Sequence, residues 1–174
     1  MYRNYTDDNF IRVFNDMTSE KSERKLSIEE LYVYCVLNES RNADIEMSMT
    51  VNVNLIHYRM PVKFVKKESE NKKKIREAIK TLVDREFLVV VDSDIKTEDI
   101  TNNTFFTTII NPDLEGFEQI HFNEYRMMKL PSDLFIFAVT KRFTLMPDSK
   151  GYKASFNRWA EVLGVSDKTA QKMI

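Results

Sequence analysis

A single cysteine, Cys35, stands in the 174 residues, so no internal disulfide can form, which fits a reducing cytosol. Three glycines and four prolines are too few for a loop-rich β-sandwich and suit helices with a few strands. The glycines, at positions 116, 151 and 164, are isolated, which excludes a glycine-rich phosphate loop. His57 and His121 lie far apart with no Cys or His at ligand spacing, so neither a metal site nor a cofactor is expected. No stretch approaches the ~18 apolar residues of a membrane span, and the opening MYRNYTDDNF lacks a signal-peptide core. Acidic pairs such as Asp7–Asp8 and Glu29–Glu30 read as solvated or capping charge. Serine, lysine and aspartate are too plentiful to single out a nucleophile. A soluble, cytoplasmic protein that is not an enzyme is expected.

What is present is apolar bulk and unevenly spread charge. Apolar residues make up 43%, with 12 Phe and 7 Tyr, enough for packed cores. The net charge of −1 divides into −3 over 1–60, +5 over 61–80, −7 over 81–120 and +4 over 121–174. Two basic segments therefore flank an acidic one, and clustered cations are the footprint of a polyanion-binding surface. For 61–80 the alternative is a solvated helix face covered by lysines.

The polar stretch 1–26 reads as an arm with one short helix around Phe10–Phe14. In SIEELYVYCVLNES, Ser27 and Glu30 form a capping-box pattern, and Ile28, Leu31, Tyr32, Cys35 and Val36 make an amphipathic stripe with Cys35 in the core. Met47, Met49 and Val51 alternate as a brief strand leading into a short helix near Val53–Arg59, which Pro61 ends. ENKKKIREAIKTLVDREF then sets Ile75, Ala78, Ile79, Leu82 and Val83 opposite Lys72, Lys73, Lys74, Arg76 and Lys80. FLVVV and TFFTTII, joined by a polar connection, form a long hairpin. QIHFNEYRMM reads as a strand, PSDLFIFAVTKRF as a buried helix, LMPDSKG as a turn, and YKASF as a strand or a helix lead-in.

FNRWAEVLGVSDKTAQKMI matches a helix-turn-helix position by position. Trp159 and Leu163 share a face, Ala160 is small where two helices cross, and Gly164 suits a turn needing positive φ. Val165 plugs the turn and Ser166 caps the next helix, with Ala170 and Met173 facing inward. Lys168, Thr169, Gln171 and Lys172 are left outward. Lysine reaches guanine or phosphate, glutamine pairs with adenine, and threonine serves either. Asn157 and Arg158 open the preceding helix where phosphates lie. Asp167 suits a helix N-terminus but repels phosphate unless it accepts from a cytosine amine. The alternative for this stretch is an ordinary αα-corner.

The two halves repeat one order of elements without repeating residues. The resulting expectation is an α+β, mainly helical fold: two winged helix-turn-helix units in tandem, the second lacking its wing. Its divisions are an arm (1–26), a first winged-helix domain (27–118) and a second, partial one (119–174). On SIEELYVYCVLN, IREAIKTLVDREFLVVV and LGVSDKT, the chain resembles the replication initiators of plasmids and phages of low-GC Gram-positive bacteria. The resemblance implies sequence-specific binding of double-stranded DNA at an origin, a homodimer, and a host replication or regulatory protein as a further partner. A transcriptional regulator and a winged-helix protein-interaction module without DNA are the alternatives. The connection from Met60 to Glu70 is longer than that group's usual turn. Asp92, Asp94, Glu98 and Asp99 make the first wing acidic, and no second wing follows Ile174. These departures suggest that the first unit pairs with a partner while the second reads DNA, and that the chain is part of a longer protein.

Overall fold

A computed structural model describes residues 10–41, 48–144 and 153–174. The fold is α+β, with one two-stranded and one three-stranded antiparallel sheet among the described residues. Glu29–Leu114 forms one compact unit, and the chain up to Ile28 joins Glu115–Ile174 in the other. Among the described residues no helix is long and apolar enough to cross a membrane.

The described chain opens with strand β1 (Phe10–Phe14) and the one-turn helix α1 (Asn15–Thr18). Helix α2 (Ile28–Glu39) begins one residue after Ser27. Its eight residues Leu31 to Asn38 are all buried, so the expected amphipathic stripe is instead a helix covered on every side. The reason is compositional: the side opposite the stripe carries Val33, Tyr34 and Leu37, and its one charge, Glu30 in the first turn, is paired with Arg85. Some polar atoms carried inward find partners, while Asn38 Oδ1 has none among the described residues. The Tyr32 hydroxyl accepts the Val62 amide at 3.2 Å. Burial pushes the Cys35 thiol far above its ordinary pKa and leaves it protonated and inert.

Strand β2 (Met49–Val51) buries Met49 and Val51 and exposes Thr50. Met47, expected to start it, lies outside the described residues. Asn52 then caps helix α3 (Val53–Arg59) by accepting the Leu55 amide at 2.8 Å. The long connection after Pro61 is held from within the next helix, α4 (Glu68–Asp84). Fully buried Asn71 turns its carbonyl oxygen back to accept the Phe64 amide at 2.8 Å and the Val65 amide at 3.3 Å. Helix α4 buries Ile75, Ala78, Ile79 and Leu82 along one stripe. A turn through Glu86 (φ 59°) leads to strand β3 (Leu88–Val90), which pairs antiparallel with β4 (Phe106–Ile110). The other edge of β4 pairs with β2, giving the order β2-β4-β3. The polar connection between β3 and β4 is anchored at its base. Asp92 accepts the Thr107 amide, Asn102 accepts from Arg76, and the Asn54 amide group donates to Asn103 Oδ1 at 2.7 Å.

In the other unit β1 pairs antiparallel with β5 (Phe117–His121), in register from Phe10↔His121 to Phe14↔Phe117. The described part of the expected arm, residues 10–26, is therefore not separate from this unit. Ile11, Val13 and Phe14 are buried, and the apolar group read as a short helix is a strand. QIHFNEYRMM is likewise not one strand: helix α5 (Phe122–Met127) replaces its second half. Glu124 starts that helix by accepting the His121 amide at 2.8 Å, and Lys141 of helix α6 (Pro131–Thr144) reaches the same carboxylate at 2.7 Å. Burial opposes ionisation of Glu124, but the Lys141 ammonium and the His121 amide outweigh it and hold its pKa below the ordinary 4.5. A depressed folded pKa contributes stability above the unfolded value and loses it as pH falls through the folded one. Glu124→Gln is expected to cost about 1 kcal/mol at neutral pH. In denaturant titrations the gap to wild type should hold down to about pH 4.5 and close in more acid solution.

Helices α7 (Phe156–Leu163) and α8 (Asp167–Met173) complete the unit. Ser155 caps α7 by accepting the Arg158 amide at 3.2 Å, so the end of YKASF is a helix lead-in. The turn expected at LMPDSKG falls in 145–152, outside the described residues.

Candidate nucleic-acid interface

The α7–α8 corner is built by its own sequence. Trp159, Ala160 and Leu163 on α7 and Ala170 on α8 are all buried, the small alanines allowing the two helices to approach. Gly164 ends α7 in the left-handed region, φ 66° and ψ 35°. The Gly164 amide donates to Glu161 O at 3.2 Å and the Val165 amide to Ala160 O at 3.0 Å, the paired bonds of a Schellman motif. Ser166 then caps α8, accepting the Thr169 amide at 3.3 Å. Val165, expected to plug the core, is half-buried.

A Cβ placed on Gly164 meets nothing within 4 Å, so a side chain there is opposed by backbone conformation alone. Gly164→Ala is expected to cost about 1 kcal/mol and Gly164→Asn less, because asparagine tolerates the left-handed region. Chemical denaturation of the two variants checks the order. Equal and large losses would mean that volume, not φ, decides this position.

On the outer side of α8, Lys168, Gln171 and Lys172 are exposed, and none has a hydrogen bond or ion pair among the described residues. Asp167 stands exposed at the first helical position, where the helix dipole favours a carboxylate. Ser166 and Thr169 are more committed than their sequence positions suggest. Their hydroxyls bond each other at 2.8 Å within the cap, and Thr169 is partly covered. Asn157 is exposed on α7. Arg158 is half-exposed and carries two carboxylates, Glu20 and Glu161, each at 2.8 Å.

Helix α4 presents its cations differently. Lys72 is ion-paired with Glu68, Lys73 with Glu77 at 3.7 Å and Lys74 with Glu29 at 2.7 Å, while Arg76 is bonded to Asn102. Lys80 alone of the five is without such a partner among the described residues. The most exposed stripe of α4 runs Glu70, Lys73, Glu77, Lys80, Asp84, alternating in sign and ending net acidic. On that stripe of α4 the positive count of segment 61–80 does not become a positive face. On the neighbouring helix α3, burial first and then the Lys63 and Lys72 ammoniums hold His57 below its ordinary pKa, leaving it neutral at pH 7.

Three cations that no spacing singled out, Lys21, Arg142 and Lys153, line one cleft together with Arg158. They come from separate stretches of chain, so no local pattern joins them.

No family model matches this chain, and no curated protein or solved structure matches it at a significant level.

Proposed function

We propose that this chain binds double-stranded DNA sequence-specifically, as a replication initiator of the plasmid or phage kind, and that α8 is its reading helix. The observation that carries this is the α8 ridge. Lys168, Gln171 and Lys172 project together from a capped helix held by a Schellman turn, and none is spent on an internal partner among the described residues. An α8 laid in a major groove would offer a bidentate amide and two cations to base edges and phosphates. On this reading α6, α7 and α8 are the helices of a helix-turn-helix unit.

The unit Glu29–Leu114 is, on the same reading, a winged helix whose wing is the β3–β4 connection. Its order of helix, strand, two helices and two strands, with β4 between β2 and β3, supports this. Its role is pairing with a second copy or with a host protein. The self-paired cations of α4 and the acids Asp94, Glu98 and Asp99 on the wing favour a protein partner over a phosphate backbone there. A transcriptional regulator would use the same chemistry. Repeated sites in an origin favour the initiator, and a single palindrome near a promoter favours the regulator.

Selection from random duplexes is the test. One enriched sequence is expected, bound with an affinity that falls steeply as salt rises, because displaced counterions accompany each phosphate contact. Charge reversal at Asp94 and Glu98 should leave that binding intact or tighten it. A flat salt response with no enriched sequence would leave only the protein-interaction module.

A further inference from the structure

Beside α7 lies a cleft of about 440 Å³, all of it within the unit that carries the α7–α8 corner. Its walls are the turn after α1, the last turns of α6, and α7 with its lead-in. Four cations line it, Lys21, Arg142, Lys153 and Arg158; Glu20 is the one carboxylate of the lining, and Arg158 is paired with both Glu20 and Glu161. Lys21 and Lys153 are exposed and have no hydrogen bond or ion pair among the described residues. Arg142 is held by one long bond, 3.4 Å to Asn15 O. Like charges gathered around one space repel, and an anion in that space relieves the repulsion.

The position of the cleft selects the anion. Helix α7 has eight residues, about 12 Å at 1.5 Å per residue. The cleft adjoins one side of that helix, and Gly164 at its end leads directly into α8. A duplex advances about 34 Å per turn, so a strand read by α8 can pass this cleft within half a turn. We infer that the cleft grips the sugar–phosphate backbone of the duplex that α8 reads, so that Lys21, from the N-terminal segment, belongs to the DNA footprint. Glu20 is the competitor within the cleft, paired with Arg158 at 2.8 Å alongside Glu161. This inference rests on the function proposed above.

Fluorescence anisotropy of the full chain on a mixed-sequence duplex, repeated over a range of KCl, tests it. Lys21→Ala with Lys153→Ala should lower the log–log salt slope by about two, one for each phosphate left without its lysine. Affinity should fall by the same factor on that duplex and on the selected sequence, because backbone contacts carry no base information. The thermal midpoint should not move, and arginine at both positions should restore the slope. Glu20→Gln should tighten binding to the mixed duplex by removing the one carboxylate that lines the cleft. An unchanged slope in the double alanine variant, with steep binding by the wild type, overturns the cleft and leaves α8 as the reader. Binding of ATP by the wild type that the double variant loses, without any change in the DNA slope, also overturns it. No salt-dependent binding by the wild type instead defeats the proposed function itself.

Discussion

Alanine at both Lys168 and Gln171 is expected to weaken binding to the selected duplex by roughly a hundredfold, about 3 kcal/mol, with little change in stability. Each bidentate base contact discriminates by about 1–3 kcal/mol, and these two side chains are the most direct candidates for such contacts. Both are exposed and neither supports the fold through a partner among the described residues. Alanine also has a high helix propensity, so α8 itself should not suffer. The single variants separate the roles. Gln171→Ala should relax preference at an adenine position in a repeated selection. Lys172→Ala should weaken all duplexes alike if it meets phosphate. A double variant that still binds the selected duplex as tightly as wild type would remove α8 from the DNA and with it the functional reading.

The second large effect concerns stability. Asn71→Leu keeps the branched outline of a fully buried residue but removes the acceptor for the Phe64 and Val65 amides, at 2.8 and 3.3 Å. Leaving a partly buried donor unmade costs about 1–3 kcal/mol each, about 2–6 kcal/mol for two, and removing the unpartnered Asn71 Nδ2 offsets part of this, so a loss of about 2–4 kcal/mol is expected. Lys73→Ala on the same helix should cost under about 1 kcal/mol, because its pair with Glu77 is exposed and 3.7 Å long. Urea denaturation of the three proteins gives the ranking, and equal losses would show that Asn71 does not hold the connection. The same bonds explain how a connection much longer than an ordinary helix–helix turn can be ordered. One buried amide at the start of α4 replaces the short turn as the constraint.

Much of the secondary structure was legible because it is decided over a few residues. The stripe Ile75, Ala78, Ile79 and Leu82 defined α4, and the pair of β runs defined β3 and β4. LGVS announced the α7–α8 corner, since a positive φ needs a small residue and a following cap needs a hydroxyl. Errors arose where a short apolar run was compatible with more than one element. Phe10–Phe14 became a strand because β5, far along the chain, offers it a ladder from Phe10↔His121 to Phe14↔Phe117, a partner no local pattern reveals. EYRMM became a helix because Glu124 could cap it and Lys141 could hold the cap.

By itself, then, the sequence determined which of the longer periodic or capped segments coil and which residues of α8 point away from its apolar side, because caps, glycine φ and helical period act within a turn or two of chain. Only the tertiary structure decided which cations are available. Lys74 is neutralised by Glu29, 45 residues away, whereas Lys168 and Lys172 meet no carboxylate among the described residues, and Lys21 and Lys153 converge on one cleft. Coulomb interaction depends on distance in space and not along the chain, so a count of charges in a segment says how many there are, and folding settles which of them still face the solvent.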